Sequence, residues 1–285
     1  MSREKTTETG FGGEVRGPDT CIEGKRQKDS GKERRGARKR EWFDDDGFWE
    51  GLYPFLFNEG RFAEAPAQVE KALALTQPPG TRVLDLCCGP GRCAVPLAKQ
   101  GYEVTGVDRT RFLLDKARQR AAEAQVEVEW VEADMRDFLR KGAFDLALSF
   151  FTSFGYFDDK REDVQVLRNL HESLSPGGVL LIDVVGKEHL AREFQPVAID
   201  VLEDGSKLVL IHEIWDEWTR MRNEWILIRD GVAKSYHFHH TLYSGQELRD
   251  RLETVGFREV KLYGNLDGDE YGPNARRLVV VARKA

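Results

Sequence analysis

Residues 83–108 read VLDLCCGPGRCAVPLAKQGYEVTGVD. Val83-Leu84-Asp85-Leu86-Cys87 predicts a buried strand, and Gly89-Pro90-Gly91 a tight turn. A helix is expected over residues 92–100, and Val104-Thr105-Gly106-Val107 forms a second strand that ends on Asp108. A strand, a glycine turn, a helix and a strand closed by a carboxylate make half of a nucleotide-binding unit. The glycines admit close approach of backbone to a ligand, and the acid can accept hydrogen bonds from a ribose diol.

The alternation continues downstream. A helix is expected over 111–124, with Phe112, Leu113, Ala117 and Ala121 in step, and a strand over 126–131. Residues 144–151 read as a fourth strand, 159–174 as a helix, Ser175-Pro176-Gly177-Gly178 as a turn and 179–185 as a fifth strand. Continuous apolar strands separated by amphipathic helices predict a parallel sheet covered on both faces. The rhythm then changes. Runs 197–202, 207–215, 225–228 and 232–239 have strand character, and Asp204-Gly205 and Asp230-Gly231 sit where hairpin turns belong. They predict an antiparallel meander inserted before the last helix, 245–255, which Ser244 caps and Gly256 ends. Strands 260–263 and 278–282, joined by loop 264–276, close the chain.

Upstream, Trp42-Phe43, Phe48-Trp49 and Tyr53-Pro54-Phe55-Leu56-Phe57 follow the acidic run Asp44-Asp45-Asp46. Asp46 is a plausible N-cap of a helix ending near Phe57, and a second helix is expected over 62–75. These aromatics serve as packing on the sheet, a lid over a ligand, or both.

The formal charge of −6 is unevenly spread. Residues 1–40 hold 12 Lys+Arg against 7 Asp+Glu, leaving 31 against 42 for the rest. The basic part is Gly, Lys and Arg-rich and is read as a disordered tail. An acidic body argues against a nucleic-acid substrate, which needs a basic face. No apolar run approaches the ~20 residues of a membrane span, and the N-terminus is too charged for a secretion signal. Three of the four cysteines, Cys87, Cys88 and Cys93, crowd one strand and turn, unlike a disulfide framework, and suit a reducing cytoplasm.

Gly89-Pro90-Gly91-Arg92-Cys93-Ala94 formally satisfies the G-x-G-x-x-A pattern of dinucleotide enzymes. Three features point elsewhere. Asp85 lies inside the first strand, where its carboxylate repels a pyrophosphate but receives an ammonium group. Asp134 with Met135 leaves the third strand as a further acid, suited to an adenine amine and ring nitrogen. The chain also ends strand, long loop, strand. Taken singly, Asp85 and Asp134 are equally well helix caps; together, at the exits of successive strands, they point to one ligand site.

These residues resemble the class I S-adenosylmethionine-dependent methyltransferase family, of the bacterial small-molecule type. Asp85-Leu86-Cys87-Cys88-Gly89-Pro90-Gly91 is similar to its first motif, Asp108 to its ribose-binding acid, Asp134-Met135 to its adenine site and Leu174-Ser175-Pro176-Gly177-Gly178 to the turn before its fifth strand. The resemblance implies an α/β fold: a Rossmann-like, seven-stranded, mostly parallel sheet of order 3-2-1-4-5-7-6 with the last strand antiparallel. It implies S-adenosyl-L-methionine as methyl donor and S-adenosyl-L-homocysteine as product. It places Asp85, Gly89, Gly91, Arg92, Asp108, Arg109, Asp134, Met135 and Phe150 at the cofactor, with Arg92 at its carboxylate and the Phe150 backbone at its amino-acid end.

The domains expected are a tail (1–40), a helical lid (41–80), a cofactor-binding core (81–186 and 241–285) and a β-rich insertion (187–240) that serves as lid, dimer interface or both. At the fourth strand's exit, Ser149-Phe150-Phe151-Thr152 replaces the Asn/Asp-Pro-Pro-aromatic of amide-directed nucleic-acid methyltransferases. The run Phe150–Phe157 instead resembles glycine and amino-sugar N-methyltransferase relatives. A small-molecule acceptor is expected, at nitrogen rather than oxygen. The alternatives are an RNA or protein methyltransferase docking through the tail, a non-catalytic cofactor-binding or scaffold protein and, last, a nicotinamide enzyme. Tyr156 and His239 are the candidate catalytic residues, and Tyr53, Ser153 and Tyr271 the candidate substrate contacts, with Asp267 and Asp269 near an amine. His237, His239 and His240 do not suggest a metal site, because period-two geometry splits them between two faces.

Overall fold

The computed structural model describes residue 38 and residues 40–285; the expected tail falls, but for Arg38 and Arg40, outside them. A 3-10 turn, Trp42–Asp44, leads into α1 (Asp46–Leu56) and α2 (Glu59–Thr76). The alternating core follows as β1 (Arg82–Leu86), α3 (Ala94–Lys99), β2 (Glu103–Asp108), α4 (Arg111–Glu123), β3 (Glu129–Glu132), β4 (Phe144–Ser149), α5 (Lys160–Ser173) and β5 (Leu174–Val184). After α6 (Lys187–Glu193) come β6 (Val197–Val201), β7 (Lys207–Trp215), β8 (Arg220–Arg229) and β9 (Val232–Thr241), then α7 (Gly245–Val255), β10 (Phe257–Tyr263) and β11 (Leu278–Lys284).

Seven strands form one sheet in the order β10-β11-β5-β4-β1-β2-β3. Strands β1 to β5 pair in parallel, and β11 pairs antiparallel with both β5 and β10. This is the expected order, with β10 and β11 as the sheet's sixth and seventh strands. The pleat divides the core in two. Val83, Leu146, Leu148, Leu181 and Val279 face α2 and α3 through Val69, Ala72 and Leu97. Leu84, Ala147, Leu180, Ile182 and Val280 face α5 and α7 through Leu167, Leu170, Leu248 and Leu252. Strands apolar on both faces are what two helical layers require.

Strands β6 to β9 form a separate antiparallel sheet in sequence order. Asp230 and Gly231 both take positive φ, 51° and 76°, the twist that a two-residue hairpin favours. Leu208, Leu210, Leu227 and Tyr236 on the inner face pack against Phe48 and Leu52 of α1. Gly51 permits this contact, since a Cβ there would lie 1.9 Å from the Tyr236 hydroxyl. The Thr241 amide donates to Gly155 O at 2.7 Å, and the Tyr243 hydroxyl donates to buried Asp163 at 2.5 Å. Together these contacts hold the second sheet over the carboxyl ends of the parallel strands.

Several element ends differ from expectation for local reasons. Asp45, not Asp46, caps α1, with Oδ1 accepting Gly47 N at 3.1 Å. Asn58 caps α2 through Arg61 N, so that helix starts at Glu59 rather than Phe62. Strand β3 begins only at Glu129 and β4 stops at Ser149, because Phe151 and Thr152 turn the chain out of the sheet with φ of 57° and 63°. Strand β8 starts at Arg220, where cross-strand pairing extends it through a polar stretch, and α6 was not expected. Among the described residues no helix is long and apolar enough to cross a membrane.

Candidate functional site

At the carboxyl ends of β1 to β4 lies a cavity of about 450 Å³. Its floor is the parallel sheet, one wall is the 3-10 turn with α1, and another is the inner face of β7 to β9.

The glycine turn is fixed by main-chain hydrogen bonds. The Cys88 amide donates to Val107 O at 3.0 Å and Gly91 N to Cys88 O at 3.1 Å. Asp108 accepts Gly89 N on one carboxylate oxygen and Thr110 N on the other, each at 2.9 Å. Burial raises its pKa, and these donors oppose the rise. Asp108 also lines the cavity. Gly106 in β2 has no room for a side chain, because a Cβ would lie 2.5 Å from the Trp130 ring. Trp130 also packs on Gly91, locking turn and sheet together.

Asp85 is 3% exposed, and its Oδ2 has no hydrogen-bond partner. Burial pushes its carboxyl up to about 7; the Ala94 amide opposes this and the Asp108 charge adds to it. A buried acid with a free oxygen beside a cavity is a receptor for a cationic group. At the exit of β3, Asp134 accepts Arg136 N at 2.8 Å and the Arg136 guanidinium at 3.0 and 2.7 Å. Burial raises the Asp134 pKa, and the Arg136 bonds outweigh it to hold the carboxyl below its ordinary value. Arg109 pairs with Asp44 and lies 3.6 Å from Asp134, with its guanidinium 4.9 Å from the Phe43 ring centre. The 3-10 turn is thereby fastened to the β2 and β3 exits. Arg92 donates to Gln68 at 2.8 Å and stacks 3.7 Å from the Phe151 ring centre.

The β4 exit is shaped by Asp183 at the end of β5. Asp183 accepts Phe151 N on its side chain at 3.1 Å and Thr152 N on its backbone oxygen at 2.9 Å. Arg277 clamps the same carboxylate at 2.7 and 2.9 Å. Phe150, Phe151, Thr152, Ser153 and Tyr156 all line the cavity as a result. Ser153 Oγ donates to Phe150 O at 2.8 Å. Burial raises the Tyr156 pKa, and its ring packs on Trp42 at 4.8 Å, so the phenol stays protonated at neutral pH.

The cavity brings together Asp85, Gly89, Arg92, Asp108, Arg109, Asp134, Met135, Phe150, Ser153 and Tyr156. Gly91 lies just beneath the lining, in the same turn. Three candidates are elsewhere. His239 points to the opposite face of β9 and binds Asp158 at 2.7 Å, because even-numbered positions 236, 238 and 240 take the inner face. Tyr53 sits outside the cavity against Phe57 and Phe112. Tyr271 donates to Glu188 at 2.5 Å and packs beside Gly245, outside the lining. Asp267 pairs with Lys71 at 2.6 Å, and Asn265 binds Asp269 at 2.7 Å; neither acid lines the cavity.

The residues missed from the sequence are those of the second sheet. His212, Met221, Asn223, Trp225, Phe238 and His240 line the cavity opposite the glycine turn. Of these, His240 belongs to the histidine run and Trp225 to the tryptophans of the predicted meander; the other four carry no mark in the sequence. Strand periodicity separates the face of His240 from that of His239 but carries no mark of which face is covered.

Residues 83–178 match the family described as Methyltransferase domain. Over 255 residues the chain is 27% identical to a protein named as a methyltransferase in Geobacillus sp. (strain WCH70), spanning 85% of this chain and 99% of that one. The CcbJ methyltransferase from Streptomyces caelestis shares the fold with a TM-score of 0.69 at 21% identity, over 78% of this chain and 90% of that one. CalS10, an amino pentose methyltransferase from Micromonospora echinaspora solved with S-adenosylmethionine bound, does so with a TM-score of 0.62 at 20% identity, over 83% and 96%.

Proposed function

We propose that the chain is a class I S-adenosylmethionine-dependent methyltransferase whose methyl acceptor is a small molecule, methylated at nitrogen. The residues present fit the donor. Asp85 offers an unpartnered carboxylate oxygen to its ammonium group, Asp108 the remaining lone pairs to its ribose diol, and Asp134 with the Met135 amide polar groups to its adenine. Arg92 lines the same cavity and is assigned to its carboxylate. When bound, S-adenosylmethionine supplies an electrophilic methyl group on a sulfonium.

The observation that carries the small-molecule reading is the wall that α1 and the second sheet build across the cavity from the glycine turn. About 450 Å³ roofed by α1 and the second sheet suits a drug-sized ligand set rather than a polymer. The chain's work there is positioning and exclusion of water. Trp42, Phe48, Trp49, Tyr156, Trp225 and Phe238 provide an aromatic surround for the acceptor. The preference for nitrogen rests on two polar side chains at that aromatic surround, Tyr156 and His240, neither of which serves as a strong base. Burial keeps Tyr156 protonated, and burial, with His239 and His212 nearby, lowers His240 to about 4. Such groups do not ionise an alcohol, whereas a neutral amine attacks through its own lone pair.

Incubation with methyl-labelled S-adenosylmethionine and separate metabolite, RNA and protein fractions tests this. Label is expected in the metabolite fraction, on basic compounds. Transfer confined to RNA or protein, and lost on deleting residues 1–37, would replace it with a docking mechanism.

A further inference from the structure

The second sheet supplies more than an apolar wall. Among the described residues, several buried side-chain nitrogens that lack hydrogen-bond partners lie on this one wall and its facing turn: Asn223 Nδ2, His240 Nε2, Trp225 Nε1 and Trp42 Nε1. Asn223 is 1% exposed and His240 6%. Buried polar atoms are ordinarily satisfied, and unmade hydrogen bonds in an apolar setting are costly. Asn223 is held in one orientation, because its Oδ1 meets His212 Nδ1 at 2.7 Å. That contact leaves the Nδ2 hydrogens as the free side of the amide. Trp225 is held by Phe238 at 4.8 Å and Phe55 at 5.4 Å, both edge-to-face. Three of the four nitrogens, in Asn223, Trp225 and Trp42, can only donate, and none of the four side chains carries a negative charge.

We propose that Asn223, His240, Trp225 and Trp42 form an acceptor-recognition subsite for an oxygen-bearing, uncharged ring, whose hydroxyl, ether or carbonyl oxygens accept the indole and amide hydrogens. The proposal deepens the small-molecule reading and rests on it. The four groups are recognition residues: they set which amine reaches the sulfonium methyl and take no part in bond making. The ring's apolar faces meet Phe48, Trp49 and Phe238, and its oxygens meet the wall. A carboxylate-bearing amine gains no formal cation on this wall, where the described lining side chains are His212, Met221, Asn223, Trp225, Phe238 and His240. A plain hydrocarbon amine leaves the donors unmade. Both are therefore discriminated against, since a site built to hydrogen-bond an oxygen rejects the analogue lacking it.

The test uses the full chain and three amines of similar size: D-glucosamine, cyclohexylamine and 4-aminocyclohexanecarboxylate. S-Adenosylmethionine affinity is measured by calorimetry, amine binding to the S-adenosylhomocysteine complex by saturation-transfer NMR, and turnover by S-adenosylhomocysteine release. D-Glucosamine is expected to bind at least tenfold more tightly than the other two. Asn223→Leu and Trp225→Phe are expected to erase that preference, raising KM for the oxygen-bearing amine tenfold or more with kcat changed less. Their S-adenosylmethionine affinity stays within twofold. Equal binding of all three amines, binding of none, or a preference that survives both variants overturns the subsite. Failure of the wild type to bind S-adenosylmethionine overturns instead the family reading beneath it.

Discussion

At the carboxyl end of β2, Asp108 is held by main-chain hydrogen bonds, whereas the inner face of β7 to β9 leaves several side-chain nitrogens without partners. Asp108 is fixed by Gly89 and Thr110 amides before any ligand arrives. Asn223 and His240 are held only by packing and one side-chain contact. The first arrangement is preorganised around a constant ligand. The second presents donors whose partners depend on what enters. A backbone-built site tolerates little substitution, while a side-chain wall can change specificity without disturbing the fold.

The contrast can be broken most directly at Asp108. Asp108→Ala leaves the Gly89 and Thr110 amides without their acceptor, at a cost of about 1–3 kcal/mol for each buried donor. Loss of most S-adenosylmethionine binding is expected by calorimetry, with a lower denaturation midpoint. A variant that folds and binds like the wild type would mean the turn needs no such anchor. Gly106→Ala comes next. Its Cβ would meet Trp130 at 2.5 Å, and overpacking of this kind costs about 1–3 kcal/mol. Urea unfolding should report that loss, and Trp130→Leu in the same chain should restore part of it.

The pH dependence of donor binding sharpens the comparison further. Asp85 must be ionised to receive an ammonium group, and in the free protein its carboxyl is pushed up to about 7. S-Adenosylmethionine affinity should therefore fall as pH drops through 7, by about tenfold for each unit below it, with release of a proton on binding. Asp85→Asn should flatten the profile. Stability of the free protein runs the other way. A carboxyl whose folded pKa lies above its ordinary 3.8 contributes fully below that value, and the contribution is lost as pH rises through about 7. Asp163, buried and likewise raised to about 7, adds to the same trend. Thermal melts of the free protein and binding titrations should thus shift oppositely between pH 5.5 and 7.5.

The smallest effect is expected on the outer face of β9. His239→Ala removes a partly exposed pair with Asp158, a contact worth about 0–1 kcal/mol. Methyl transfer and its pH profile should match the wild type within twofold. A large loss of kcat there would return His239 to the chemistry and overturn the assignment of faces.

Much of the donor half was legible because its signals are local. Gly89 and Gly91 take positive φ of 53° and 78°, which only a glycine-rich stretch provides cheaply, and Asp108 follows its strand directly. Element ends were legible where caps are strong, as at Ser244 with Glu247. They were not where pairing overrides composition. Between β7 and β8, Asp216, Glu217 and Trp218 all take positive φ, from 52° to 65°, without a glycine to announce a turn. The polar residues that open β8 become strand because β7 and β9 pair with them.

By itself the sequence determined the parallel sheet and the acids at successive strand exits, because period and turn chemistry are properties of neighbouring residues, while the strand order was what the family resemblance implied. Only the tertiary structure decided which face of β9 sees the cavity. Strand periodicity makes two faces and labels neither. The choice fell to packing: Gly51 of α1 accepts Tyr236, Phe48 meets Phe238, and the same face then carries His240 inward and leaves His239 at the surface with Asp158.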